Sequence, residues 1–332
     1  MAELAFRDFT ERDIDACVQL LREGHDPRFS RGRFAWLHLQ NPLAPSRIAL
    51  AWDNNRLIGF YAVIKKKLLI NGQTCIGGRD IDPVVHPDFR GKGVFGRLLQ
   101  YGLVNFTEID VLFNFANTLS APGFLKQGWQ SLGMLQDYIF QTDHNGWGVK
   151  PVFASALSWS HLALVERSQD RRTVEEVWPG SLRDYDGLFD CLLDSGIQVE
   201  RGAEYLDWRY LKKPGCNYRF FAEKNQGSIE RLYILKFNED IPEIILCDVV
   251  QTFDAGSSFA ALFCELRGLG RGYKIKIWGS FHRALQRQFV KKPFSAQFGQ
   301  NVLVRQVPGK NNQPELYHIQ NWMITHGDLE VI

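Results

Sequence analysis

Seven consecutive residues, Arg90-Gly91-Lys92-Gly93-Val94-Phe95-Gly96, combine three glycines with two cations. Glycine lets the backbone approach a ligand closely and take positive φ where a turn requires it. From Val94 onward, Val94, Phe95, Leu98, Leu99, Leu103 and Phe106 recur at helical spacing. The layout is therefore strand, glycine-rich turn, amphipathic helix. The first N–H groups of such a helix have no partner within it, and its dipole adds partial positive charge there. With Arg90 and Lys92 at the rim, the segment suits a pyrophosphate. The glycines also spell G-x-G-x-x-G, but the dinucleotide pattern needs a βαβ unit with an acidic residue near a second strand end. Arg90, the preceding Val85-His86-Pro87 and a hairpin upstream point elsewhere. A phosphate-cradling ATPase loop is excluded, because no G-K-[ST] occurs.

Just before the loop, Asp80 and Asp82 lie two apart on the strand-like run Thr74 to Val85, which predicts that they share one face. A carboxylate so placed can take the proton that an ammonium nucleophile must lose before attack. Its ordinary pKa near 4 makes it a poor base unless burial raises it or a water relays the proton. The alternative reading pairs one aspartate with Arg79 and lets the other cap a turn at Pro83. Elsewhere the signals are weaker. The six cysteines stand singly and the eight histidines show no metal spacing, so neither a metal site nor a disulfide framework is expected. His86 reads as the residue before Pro87 in a turn, and Lys65-Lys66-Lys67 as a solvated edge that discourages strand pairing.

Over its length the chain repeats itself. Trp36-Leu37-His38-Leu39-Gln40-Asn41-Pro42 is matched by Trp208-Arg209-Tyr210-Leu211-Lys212-Lys213-Pro214. A helical stretch precedes each copy, Asp13 to Leu21 and Asp184 to Leu193, and a hairpin follows each. Both tryptophans read as core anchors. Duplication divides the chain into residues 1–145, a connecting helix and linker over 146–171, a second copy over 172–307, and a tail over 308–332 that packs back. The second copy has a strand, Ile244 to Val250, but Gln251 to Gly256 follows it without an arginine and glycines, so no pyrophosphate site is expected there. Gly268 to Gly272 reads as a helix stop, and Asp248 faces either a cleft or a buried structural partner. At 332 residues, 45% apolar and 23% charged, the chain has the make-up of a soluble globular protein. A net charge of +2 gives no electrostatic reason for nucleic acid or an anionic membrane as partner. With no signal-like N-terminus and no run of apolar residues long enough to span a bilayer, a cytoplasmic location is expected.

The run Val85-x-Pro87, Arg90-x-x-Gly93 and the helix from Val94 resembles the GNAT superfamily of acyl-CoA-dependent N-acetyltransferases. So do the strand Val111 to Ala116 and the segment Asn117 to Trp129 that follows it. The resemblance covers roughly residues 4–140, and its wording is nearest a subset linked to surface-polysaccharide or amino-sugar chemistry. It implies an α/β (α+β) fold of two tandem GNAT-like domains, each a mixed, centrally splayed β-sheet flanked by helices. It implies acetyl-CoA as co-substrate, no metal, and a small-molecule amine as acceptor, with an oligomer possible but not indicated. By resemblance, Arg90, Gly91, Lys92, Gly93, Val94 and Phe95 bind the pyrophosphate and Gly96 supports the turn. Val84 and Val85 flank the pantetheine and thioester, Asn117 forms the opposite wall, and Phe124 and Lys126 lie near the cofactor. Asp82 and Asp80 are the candidate bases. Two departures stand out: Phe95 replaces the usual Gly or Ala, and Phe124 replaces the usual acid tyrosine, which leaves Ser120 or water to protonate the thiolate. The other readings are an acyl-CoA-binding regulatory protein without turnover, and a tandem-fold aminoacyl or long-chain acyl transferase.

Overall fold

The computed structural model describes residues 4–135, 137–143, 146–149, 160–161, 172–188, 196–238, 240–251, 261–262, 265–266, 274–280, 300–310 and 313–329. They divide into two compact units, one of Met1–Met134, Lys212–Pro214 and Gln300–Asn321, the other of Leu135–Leu211, Gly215–Gly299 and Trp322–Ile332. Each is a mixed sheet with a few helices, the expected α+β architecture.

The first unit begins with β1 (Ala5–Asp8), α1 (Ile14–Gly24) and α2 (Arg31–Phe34), which runs on as a π-helical turn over Ala35–Leu39. Next come β2 (Arg47–Asp53), β3 (Arg56–Ile70) and β4 (Gln73–Val85), an antiparallel meander. After the loop follow α3 (Val94–Asn105), β5 (Val111–Ala116), α4 (Ala121–Lys126) and β6 (Gln130–Met134). The apolar face of α3 lays Val94, Leu98 and Leu99 on Tyr61 and Val63 of β3 and on Trp129, which makes the unit's core. Lys66 is buried within β3, and Lys65 pairs with Glu108 at 3.0 Å. The lysine run is thus not a solvated edge: β3 continues to Ile70 with β4 bonded along it.

Two irregularities shape β4. Parallel pairing with β5 holds only from Gly77↔Val111 to Arg79↔Phe113, and beyond that the strands part. Past the parting, Ile81 pairs with Ala62 and Val84 with Phe60, so Asp82 and Pro83 together oppose Tyr61 alone. That is a β-bulge. Proline fits there because a bulge does not require its missing N–H, and Asp82 takes the left-handed φ of +48°.

The second unit contains β7 (Asp137–Asp143), β8 (Gly146–Val149), β9 (Ser160–His161), β10 (Thr173–Val177), β11 (Ile197–Val199) and α5 (Ala203–Leu206), followed by a π-helical turn over Asp207–Leu211. The meander β12 (Tyr218–Asn225), β13 (Ser228–Phe237) and β14 (Glu243–Gln251) leads to β15 (Lys274–Ser280). β16 (Asn301–Gln306) lies in the sheet of the first unit, between β5 and β6, whereas β7 lies in that of the second, bonded to β15. A strand from late in the sequence thus completes the first sheet, and β7, from the first copy of the repeat, joins the second. The repeated Trp-to-Pro segments adopt one structure in both units, four α-helical residues and a five-residue π turn with the tryptophan buried.

β14 and β15 pair in parallel from Glu243↔Lys274 to Leu246↔Ile277. Near the end of that ladder the chain's own β17 (Trp322–Thr325) bonds to β15, and the turn after it is pinned in place. Arg201 bridges Asp248 at 2.7 Å and Asp328 at 2.9 Å, while Tyr210 donates to Asp248 at 2.9 Å. Asp248 is a buried structural group. Of the expected connecting helix, residues 146–149 and 160–161 are strand, and the rest lies outside the described residues, as do Gly268 to Gly272 and the end of the stretch Asp184 to Leu193. No helix among the described residues is long and apolar enough to cross a membrane.

Candidate acyl-transfer site

The loop enters α3 through two left-handed glycines, Gly91 at φ +74° and Gly93 at +76°. Among the described residues nothing lies within 4 Å of where a Cβ would sit on either, so conformation, not crowding, calls for glycine there. Residues 90–93 are exposed. The N–H groups of Val94, Phe95 and Gly96 open the twelve-residue α3, and the first intrahelical bond of its entry runs from Arg97 back to Gly93. Arg90 Nε donates to the Val85 carbonyl at 3.2 Å, and the Lys92 ammonium lies 4.9 Å from the Phe89 ring centre. Both cations thus stand beside the glycines that lead into α3. Alongside it runs a groove of about 630 Å³, to which Phe95, Gly96, Gly123 and Lys126 contribute.

Phe95 crosses that groove to α4. A Cβ on Gly123 would come within 2.4 Å of its ring, and Phe95 meets Phe124 edge to face at 5.3 Å. Phe124 in turn packs on Trp129 at 5.3 Å and is buried, so it is a core residue that offers no group to a ligand. Asn117 accepts bonds at Oδ1 from the N–H of Leu119 (3.0 Å) and of Ser120 (2.9 Å) and from the Ser120 hydroxyl (3.1 Å). Its carbonyl oxygen is committed to the turn into α4, and the Ser120 proton points at it.

The bulge separates the two aspartates, which corrects the expectation of a shared face. Asp80 looks toward the α3 core. It accepts from Tyr61 Oη at 2.5 Å, Trp129 Nε1 at 3.1 Å and Asn114 Nδ2 at 3.2 Å. The last of these bonds spans β4 and β5 one residue beyond their final backbone pair. Asp80 therefore ties the strands where they part. Burial pushes its pKa up to about 7 even though three donors and the Arg79 charge work the other way.

Asp82 looks toward α1. Its Oδ1 meets His25 Nε2 at 3.0 Å, and its buried Oδ2 has no hydrogen-bond partner among the described residues. Burial works to raise its pKa, but the hydrogen bond from His25 and the charges of His25, His38 and Arg33 prevail and hold it below the usual value. Val84 packs its side chain on Gly24, and Val84 and Val85 bond by backbone to β3. His86 accepts from the Asp88 N–H at 3.2 Å, as a turn residue before Pro87. His25, at the end of α1, carried no signal in the sequence. Only the fold brings it to Asp82.

Residues 5–131 match the family described as acetyltransferase (GNAT) domain. No curated protein matches the chain. Among solved structures, a conserved protein of unknown function from Enterococcus faecalis, described as a probable N-acyltransferase, is similar with a TM-score of 0.70 at 12% identity, over 92% of this chain and 73% of that one. A GCN5-related N-acetyltransferase from Anabaena variabilis gives 0.67 at 13% identity, with the same two coverages. A tandem GNAT protein from the clavulanic acid biosynthesis pathway gives 0.53 at 11% identity, over 93% of this chain and all of that one. At these identities the likeness is one of fold.

Proposed function

We propose that this chain, whose residues 5–131 match the GNAT acetyltransferase domain, transfers the acetyl group of acetyl-CoA to a primary amine on a small molecule of the amino-sugar or nucleotide-linked-sugar kind. The observation that carries the reading is the pairing of an open, glycine-lined helix entry with a strand splay that begins at Arg79 and Phe113. An anion held at the helix entry gains from unpartnered N–H groups and the helix dipole together. A splay leaves backbone groups free for an extended arm.

In this account Arg90, Gly91, Lys92, Gly93, Val94 and Phe95 hold the pyrophosphate, and Gly96 keeps the turn tight. Val84 and Val85 on one side and Asn117 on the other flank the pantetheine arm, and Lys126 adds a cation at the groove. Acetyl-CoA supplies the activated thioester. Asp82 belongs to the path by which the amine loses its proton, and Asp80 positions the two strands. Ser120 is the nearest hydroxyl for the departing thiolate, although a thiol is acidic enough to leave without a donor. The acceptor chemistry rests on the resemblance of His86-Pro87-Asp88-Phe89-Arg90-Gly91-Lys92-Gly93 to the amino-sugar subset.

The test is release of free thiol from acetyl-CoA in the presence of glucosamine, spermidine and a short peptide with a free α-amine. Release with glucosamine above the rate without amine is the expected result. Release with none of the three, while acetyl-CoA binds, favours the second reading, a binding protein without turnover, which Phe124 in the place of an acid tyrosine supports. No binding at all overturns both.

A further inference from the structure

The proton path as far as Asp82 ends on a carboxylate whose side chain is only 2% exposed, so it cannot meet an acceptor directly. Its hydrogen-bond partner is different: the His25 side chain is 41% exposed. One ring nitrogen of His25 faces the carboxylate and the other is turned away from it. We propose that His25 is the proton-accepting residue of the transfer, and that Asp82 is a positioning residue acting through it. The inference rests on the acyltransferase reading and sharpens where its base lies.

Three features of the fold bear on this arrangement. The bulge at Asp82-Pro83 gives Asp82 its positive φ, so its side chain goes to the α1 face instead of following the Asp80 side. A residue is held in that conformation only where its surroundings over-determine it, and such strain gathers at functional sites. Second, the bond to Asp82 selects the tautomer with the proton on Nε2, which leaves Nδ1 with a lone pair to receive one. Third, the other histidine facing Asp82 is unsuited to the task. His38 is buried against Phe34 and Phe60, bonds through Nδ1 with Ser46, and burial lowers its pKa to about 4.

The groups around His25 are Asp82 from β4, Asp26 from its own turn and Arg33 from α2, and His38 of the π turn acts on Asp82. The hydrogen bond to Asp82 raises the imidazole pKa, with the charges of Asp82 and Asp26 in support, against burial and Arg33. A raised imidazole pKa lies closer to that of the ammonium from which the base takes a proton.

The balance of the step is simple. An ammonium gives one proton to His25 Nδ1, which passes it to water. The amine nitrogen then bonds to the thioester carbonyl carbon, the C–S bond breaks, and the second proton lost from nitrogen ends on the thiolate. The products are an amide, a thiol and one proton in solution.

The test compares wild type with His25→Gln, His25→Ala and Asp82→Asn, using acetyl-CoA and the three amine probes above. Glutamine keeps a donor for Asp82 but cannot accept a proton, and asparagine tolerates left-handed backbone while removing the charge. His25→Gln should keep the acetyl-CoA affinity and thermal midpoint of wild type, yet lose about 100-fold or more in kcat. His25→Ala should regain part of its rate with added imidazole. Asp82→Asn should move the rising limb of the kcat/KM profile to lower pH. Wild-type rate and pH profile in His25→Gln would overturn the role of His25 while leaving the transferase intact. Absence of thiol release from wild type with every probe would overturn the transferase reading and this inference with it.

Discussion

At the residue scale, Asp80 and Asp82 show what strand alternation can and cannot foretell. Period two puts them on one face, and the bulge sends them to opposite ones. The sequence did hold the relevant sign, since a proline inside a strand marks a bulge or an edge, and Pro83 directly follows Asp82. What it did not hold was the set of donors. Tyr61 and Asn114 reach Asp80 from two strands and Trp129 from the segment before β6, and no local pattern announces such a meeting. Asp80→Asn would set an amide NH₂ against those donors, so it should destabilise the protein by about 2–4 kcal/mol. The pH dependence has a definite sign. A carboxyl whose folded pKa is raised to about 7 stabilises the fold at low pH, and that contribution fades as pH rises from about 4 through 7. Urea midpoints from pH 4 to 8 should therefore fall for wild type relative to Asp80→Asn over that window. A relative rise would contradict the assignment.

At the element scale, the loop, α3 and α4 act together. The strand–turn–helix layout was legible because glycine spacing and helical periodicity are local signals. Phe95 looked like a departure from the family, and its reason is not local: the ring lies against Gly123, where a side chain has no room. Gly123→Ala should cost about 1–3 kcal/mol by overpacking. Most of that loss should vanish when Phe95 is also reduced to alanine. A double-mutant cycle of denaturation midpoints measures the coupling, and strict additivity would refute the contact. The Trp36 and Trp208 segments were legible as a repeat, whereas their shared π turn was not, since the sequence marks the anchor and not the hydrogen-bond pattern.

At the scale of the whole molecule, the repeat revealed two lobes but not the crossing of strands between their sheets. β16 fills the first sheet between β5 and β6, with Val302, Leu303 and Val304 fully buried. A strand carries no local statement of which sheet it joins, so copies read as contiguous blocks leave such a crossing unseen. The fragment 1–134 spans the matched family domain yet lacks β16, which leaves open edges on β5 and β6. Expressed alone it should be insoluble or unfolded by circular dichroism. A folded fragment would show that β16 is dispensable.

The central claim is that the helix entry at Gly93 holds acyl-CoA, and calorimetric titration with acetyl-CoA tests it most directly. Aspartate is among the residues that tolerate left-handed backbone, so Gly93→Asp should cost the fold about 1–2 kcal/mol while setting a negative charge in the cradle. Wild type is expected to bind one acetyl-CoA per chain, and Gly93→Asp, still folded by circular dichroism, to lose at least about 100-fold in affinity, of order 3 kcal/mol. Equal affinity in the two proteins, or no binding by wild type, would contradict the account.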